Sequence, residues 1–170
     1  TNITQYRLVR MLVGLRGALT DKDAEVRWSA ARATGEVGDA EAKPILARLV
    51  KEDKDPEVRY YAAYSLAGMN GAAAFTYFKE QLKSEKTEDR ARALRALGKY
   101  GKGKYTAELV AALEDKENRV RYAAVIQLDR SRQKAGIPGL ITALDDEHRD
   151  VRKRARSALE RLTRGFISIT

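Results

Sequence analysis

The sequence predicts an all-α fold, a right-handed α-solenoid of about five helix pairs, and three observations carry that prediction. A short motif recurs along the 170 residues at Val26, Val58, Asp89, Val120 and Val151, spaced by 32, 31, 31 and 31 residues. A fixed period of about 20–50 residues marks a repeat architecture. Rotated at about 100° per residue, the apolar positions of each copy fall on one stripe, as an amphipathic helix requires. Helix-start and helix-stop residues punctuate the copies at matching offsets. Residues 1–170 therefore read as a single repeat domain, with residues 165–170 as a tail of different character.

Taken in order, the segment before the first anchor places Leu8, Leu12, Leu15 and Leu19 on one face and reads as the first helix of repeat one. Val9, Met11 and Val13 widen its apolar surface, so this end is expected to act as a cap or as a docking surface. The first helices all carry apolar pairs four apart: Leu15/Leu19, Leu46/Val50, Phe78/Leu82, Leu109/Leu113 and Leu140/Leu144. Pro44 and Pro138 sit in matching slots, where a helix's first turn accepts proline without losing a hydrogen bond.

The second helices bury offsets 0, 4, 7, 8 and 11 from each anchor: Val26, Ala30, Ala33, Thr34 and Val37 in copy one, then Val58, Ala62, Ser65, Leu66 and Met69 in copy two. Pro56 opens the second of these helices behind Asp55 in the N-cap slot. At offset 12 stand Gly38, Asn70 and Gly101, residue types that tolerate a left-handed C′ position, whereas Arg132 departs from the pattern. Neither helix of a pair buries its stripe alone, so stacking supplies the core.

An acid precedes four of the motif arginines by six residues: Asp21 and Arg27, Asp53 and Arg59, Asp115 and Arg121, Asp146 and Arg152. Ser84 takes that place before Arg90, and Asp89 replaces the anchor valine. Repeat three is therefore expected to be the least well packed and Ser84 the weak point of any charge ladder.

The pattern D-x-x-x-x-V-R-x-x-A-A-x-x-L-G at this period resembles HEAT repeats, in particular the short type of phycobilin-lyase-like proteins, from about Tyr6 to Arg164. The resemblance implies a stacked ladder in which Asp21, Arg27, Asp53, Arg59, Arg90, Asp115, Arg121, Asp146 and Arg152 tie adjacent turns by charge-assisted hydrogen bonds. It also implies that the second helices line a concave surface. Offsets 2, 6 and 9 would face along it: Trp28, Tyr60 and Tyr122 with Lys153, then Arg32, Tyr64 and Arg95, flanked by Tyr61, Arg92 and Arg154. Such solenoids host scaffolds, lyases, hydroxylases and DNA glycosylases, so fold does not settle function.

Charge is distributed unevenly. Residues 1–85 carry 13 basic and 12 acidic side chains, residues 86–170 carry 20 and 12, so the second half holds nearly all of the net +9. That asymmetry favours an anionic partner. Trp, Tyr and Arg are the residue types enriched at interface hot spots, and the expected function is a non-catalytic scaffold that binds a protein or peptide of acidic character. The alternative is nucleic acid held through Arg92, Arg95, Lys99, Arg121, Lys153, Arg154 and Arg156. An enzyme is the third reading, with Asp129 or Glu160 as the acid on the second-helix face.

Chemistry-bearing motifs are few. The absence of Cys excludes disulfides, thiol catalysis and cysteine metal sites. The lone His148, in Asp-Asp-Glu-His-Arg-Asp, reads as an N-cap rather than a ligand, and HEAT-built hydroxylases use paired His-Glu motifs that one histidine does not supply. No metal or cofactor is expected. No apolar run approaches the length of a membrane span. No leader is visible although the chain starts at Thr1, so a cytoplasmic location is the default expectation. Phe166, Ile167 and Ile169 give the tail an apolar character suited to capping the last core.

Overall fold

The computed structural model describes the backbone of residues 2–167 and the side chains of residues 3–164. Ten α-helices occupy the described residues, with no strand among them: α1 (Asn2–Ala18), α2 (Ala24–Val37), α3 (Lys43–Glu52), α4 (Pro56–Gly68), α5 (Ala72–Gln81), α6 (Thr87–Tyr100), α7 (Thr106–Ala111), α8 (Asn118–Ser131), α9 (Ile137–Thr142) and α10 (Arg149–Ile167). Single 3-10 turns precede α3 and α9 and follow α7 and α9. Two compact units result, Thr1–Tyr77 and Phe78–Thr170. Backbone 165–167 is helical rather than strand-like, and the expectation that the tail caps a core lies outside the described side chains.

Local chemistry explains the helix boundaries. Asp23 caps α2 by accepting the Glu25 N–H, and Asp55 caps α4 by accepting those of Glu57 and Val58. Pro44, Pro56 and Pro138 all sit in first turns. His148 stands before α10 and its Nδ1 accepts the Asp150 N–H at 3.3 Å. Gly38 and Asn70 end their helices left-handed, at φ 70° and 59°. Two ends differ from the sequence reading. Gly101 is right-handed at φ −75° and the reversal falls on Lys102 and Gly103, whereas Arg132 adopts φ 50° although it carries a Cβ.

In the first unit, α2 packs on α4 and α3 on α4, with Ala31, Leu46, Val58, Ala62, Ala63 and Leu66 as core. The second unit buries one cluster spanning α6 to α10, including Leu94, Leu109, Val120, Val125, Leu128, Leu140, Val151 and Leu162. Offset 5, not among the expected core slots, is buried in four copies as Ala31, Ala63, Leu94 and Val125. Second helices pack on second helices, which widens the buried arc beyond one stripe.

Three packing expectations need correction. Val26 and Val37 are 39% and 46% exposed, because nothing described covers the outer edge of α2. Leu8, Val9, Met11 and Val13 of α1 are likewise exposed, so Leu8 does not join Leu19 in the core. Repeat three is not loosely packed: α6 buries Arg90, Ala91, Ala93, Leu94, Ala96 and Leu97. Asp89 is accommodated because its carboxylate accepts the Ser84 hydroxyl at 2.8 Å at the helix start, so no charge enters the core.

Candidate functional site

Five arginines build the spine of the turns. Arg27, Arg59, Arg90, Arg121 and Arg152 each donate from Nη1 to the backbone carbonyls six and five residues upstream, at 2.7–3.2 Å. Three of these forks also grip a carboxylate, and it belongs to the following repeat. Arg27 holds Asp53 through Nε and Nη2 at 2.8 and 2.9 Å, Arg90 holds Asp115 at 2.7 and 2.9 Å, and Arg121 holds Asp146 at 2.7 and 3.0 Å. The pairing of arginine with the acid six residues before it is therefore corrected: that acid offers its carbonyl, and the carboxylates of Asp53, Asp115 and Asp146 serve the arginine of the preceding repeat. Arg59 makes no ion pair among the described residues, and the position 25 residues after it is Ser84. Arg16 adds a further clamp, gripping Asp39 at 2.6 and 2.9 Å and reaching Glu41.

These clamps set the titration of the acids. Hydrogen bonds from Arg16 hold Asp39 below the usual carboxylate range. For Asp53, Asp115 and Asp146 burial pushes upward, but the arginine fork, one backbone N–H and the nearby positive charge together outweigh it and the net shift is down. A carboxylate lowered in the folded state contributes stability above its unfolded value, about 4, and that stability is lost as pH falls through the lower folded value. The melting temperature is therefore expected to hold from neutral to about pH 5 and to drop steeply below about pH 4, followed by circular dichroism. A melting temperature unchanged down to about pH 3 would contradict this assignment.

On the second-helix face of the first unit, the aromatic residues cluster. Trp28 of α2 stacks on Tyr61 of α4 with centroids 5.1 Å apart, Tyr61 meets the edge of Tyr60, and Tyr60 lies 5.9 Å from Tyr64. All four rings are half-buried, so they form a partly exposed plate. Arg32 beside them pairs with Glu36.

The second unit holds a groove of about 660 Å³ between the starts of α8 and α10, lined by Asn118, Arg119, Tyr122, His148, Asp150, Lys153, Arg154 and Ser157. Tyr122, 38% exposed, supplies its apolar wall. Lys153 makes no ion pair among the described residues and is exposed. Arg154 is tied to Asp129 at 2.7 Å, and Arg161 joins the same carboxylate at 2.6 Å. On α6, Arg92 and Arg95 share Glu88 with Arg119 of α8.

Sequence reading thus named Tyr122, Lys153 and Arg154 of the groove and missed Asn118, Arg119 and Asp150, which stand on offsets −2, −1 and −1 at helix starts. It also offered Arg121 to nucleic acid. That is corrected: the side chain is buried and engaged on Asp146. Asp129, named as a candidate acid, is enclosed by two arginines instead. Among the described residues no group of three or more His, Asp or Glu stands ready to hold a metal ion, and no helix is long and apolar enough to cross a membrane.

No curated protein matches the chain in sequence. Among solved structures, an engineered protein is 23% identical with a TM-score of 0.64, covering 89% of this chain and 78% of that one. The complex of CpcE and CpcF of phycocyanin lyase from Nostoc is 18% identical with a TM-score of 0.67; the match covers 88% of this chain and 64% of that one, under two thirds of its length. A designed armadillo repeat protein in complex with the peptide (KR)4 is 21% identical with a TM-score of 0.67, covering 93% of this chain and 84% of that one. At these identities the likeness shows a helical repeat fold. The sequence profile of HEAT repeats matches residues 12–91 and 75–160, nearly the whole chain. The chain belongs to the HEAT-repeat family.

Proposed function

We propose that the protein is a binding scaffold that holds an acidic peptide segment on the second-helix face, with the α8–α10 groove as the principal contact. The observation that carries this reading is the groove itself: an exposed aromatic wall, Tyr122, beside an uncommitted cation, Lys153, with Arg119 and Arg154 alongside and Asp150 as the single acid. Desolvated aromatic and cationic anchors of this kind supply most of the affinity at interfaces. A designed armadillo repeat protein of similar fold is described in complex with a basic peptide, (KR)4. Here the excess charge of the second half is positive, so the complementary peptide is acidic. In the first unit the Trp28–Tyr61 plate with Tyr60 and Tyr64 would take apolar side chains of the same class of ligand.

The test uses a fluorescein-labelled peptide that alternates Glu with Leu and Tyr, titrated with the full chain in an anisotropy assay. Tyr122→Ala and Lys153→Glu are each expected to weaken binding at least about tenfold. Equal affinity in wild type and both variants, or no binding by wild type, would overturn the assignment.

A further inference from the structure

The α8–α10 groove is lined by more kinds of donor than a carboxylate uses. His148 accepts the Asp150 N–H on Nδ1 at 3.3 Å, so in the neutral ring the proton sits on Nε2, which donates. Asn118 brings its amide N–H pair, and Lys153 an exposed ammonium with no ion pair among the described residues. Arg154 is fixed to Asp129 through Nη2, and its Nε is buried without a hydrogen bond, a donor that an oxyanion would satisfy. The acids behind the lining are shared: Glu88 serves Arg92, Arg95 and Arg119, and Asp129 serves Arg154 and Arg161. Together with Lys153 and Asp150 that set holds six cations and three acids, a local excess of +3. His148 adds no negative charge to it, although the same slot holds Asp23, Asp55 and Glu117 in other copies.

We propose that this groove takes a phosphorylated side chain, a phosphoserine within the acidic peptide; the proposal rests on that reading of the groove and narrows it. A carboxylate offers two oxygens in one plane, which is what the ladder arginines grip with Nε and Nη2 together. The groove presents no such fork, because Nη2 of Arg119 and of Arg154 is already on a carboxylate. Its remaining donors are single groups reaching in from separate positions on two helices. A tetrahedral phosphate suits them, with three outer oxygens that accept from several directions. Its charge of about −1.5 to −2 at neutral pH also answers the local excess better than a carboxylate does. Asn118 and His148 stand at the starts of α8 and α10, where the helix dipole adds to the attraction. Tyr122 remains the wall for an apolar neighbour of the phosphoserine.

The test titrates the full chain, by anisotropy, into fluorescein-labelled peptides of Glu, Leu and Tyr that differ only at a central serine, glutamate or phosphoserine. Phosphoserine is expected to bind at least about tenfold more tightly than serine and about fivefold more tightly than glutamate. His148→Asp places there the residue type of Asp23 and Asp55, which keeps a cap for α10 while putting negative charge in the groove. It is expected to abolish the advantage of phosphoserine over glutamate. Asn118→Ala, which leaves the cap alone, is expected to halve that advantage or more. Phosphoserine no tighter than glutamate, or an advantage untouched by both variants, would overturn this proposal and leave the acidic-peptide reading standing. Failure of all three peptides to bind would overturn both. Duplex DNA that displaces the phosphoserine peptide at lower concentration than the unlabelled peptide itself would also overturn the proposal, by assigning the phosphate to nucleic acid.

Discussion

Replacing Arg121 with alanine is expected to destabilise the protein by about 3–5 kcal/mol, measured by urea unfolding followed by circular dichroism. Arg121 is buried and makes five hydrogen bonds: two to Asp146, one to Glu147, and one each to the carbonyls of Asp115 and Lys116. Truncation leaves the Asp146 carboxylate, whose side chain is only 7% exposed, without its counter-charge. The unpaired buried charge, not the lost attraction itself, dominates the cost. Two controls separate these terms. Arg32→Ala removes a pair with Glu36 that is open to water on both sides and is expected to cost under about 1 kcal/mol. The double change Arg121→Met with Asp146→Leu removes both charges and is expected to recover much of the loss. A loss below about 1 kcal/mol for Arg121→Ala would mean the ladder contributes no more than a surface ion pair.

The second large effect is expected at Gly35, where alanine should destabilise although it is the better helix former. A Cβ at Gly35 would meet Ser65 of α4, with the Ser65 Cα only 2.9 Å away. Backbone cannot swing aside as a flexible side chain would, so α2 and α4 must separate. Separation breaks the buried hydrogen bond from the Ser65 hydroxyl to the Ala31 carbonyl at 2.7 Å, worth about 1 kcal/mol, and adds about 1–3 kcal/mol of overpacking strain. Helix propensity returns about 1 kcal/mol, leaving a net loss of about 1–3 kcal/mol. The same movement would open the Trp28–Tyr61 stack, so near-ultraviolet circular dichroism should change alongside the melting temperature. An unchanged or raised melting temperature would contradict the close approach of the two helices.

The repeat architecture was legible because a stacked helix pair must present the same face at every copy. The Val-Arg anchor, the prolines of the first turns and the Asp caps are each local requirements repeated on that period. The ladder was legible only in part. With a 31-residue period, an aspartate six residues before one arginine stands 25 residues after the previous one, so spacing alone does not separate the two pairings. The structure shows the arginine reaching forward for the carboxylate and backward for carbonyls. The second-helix face was likewise legible only in part. A helical wheel gives the direction of Trp28 and Tyr61 but not the distance between neighbouring helices, which the small residues at offsets 5 and 9 reduce until the rings stack. Groove residues at helix starts, such as Asn118 and Arg119, lay outside the wheel altogether, and their grouping with His148 and Lys153 depends on how α8 and α10 are placed.

The measurement that bears most directly on function compares ligands on one instrument. Labelled acidic peptide, labelled (Lys-Arg) peptide and labelled duplex DNA would be titrated with the full chain at about 50 and 200 mM salt. The account predicts that the acidic peptide binds more tightly than either other ligand at both salts and loses affinity in Tyr122→Ala. Tight DNA binding that falls steeply with salt, about 0.9 log unit per log unit of salt for each phosphate contact, with no preference for the acidic peptide, would contradict it.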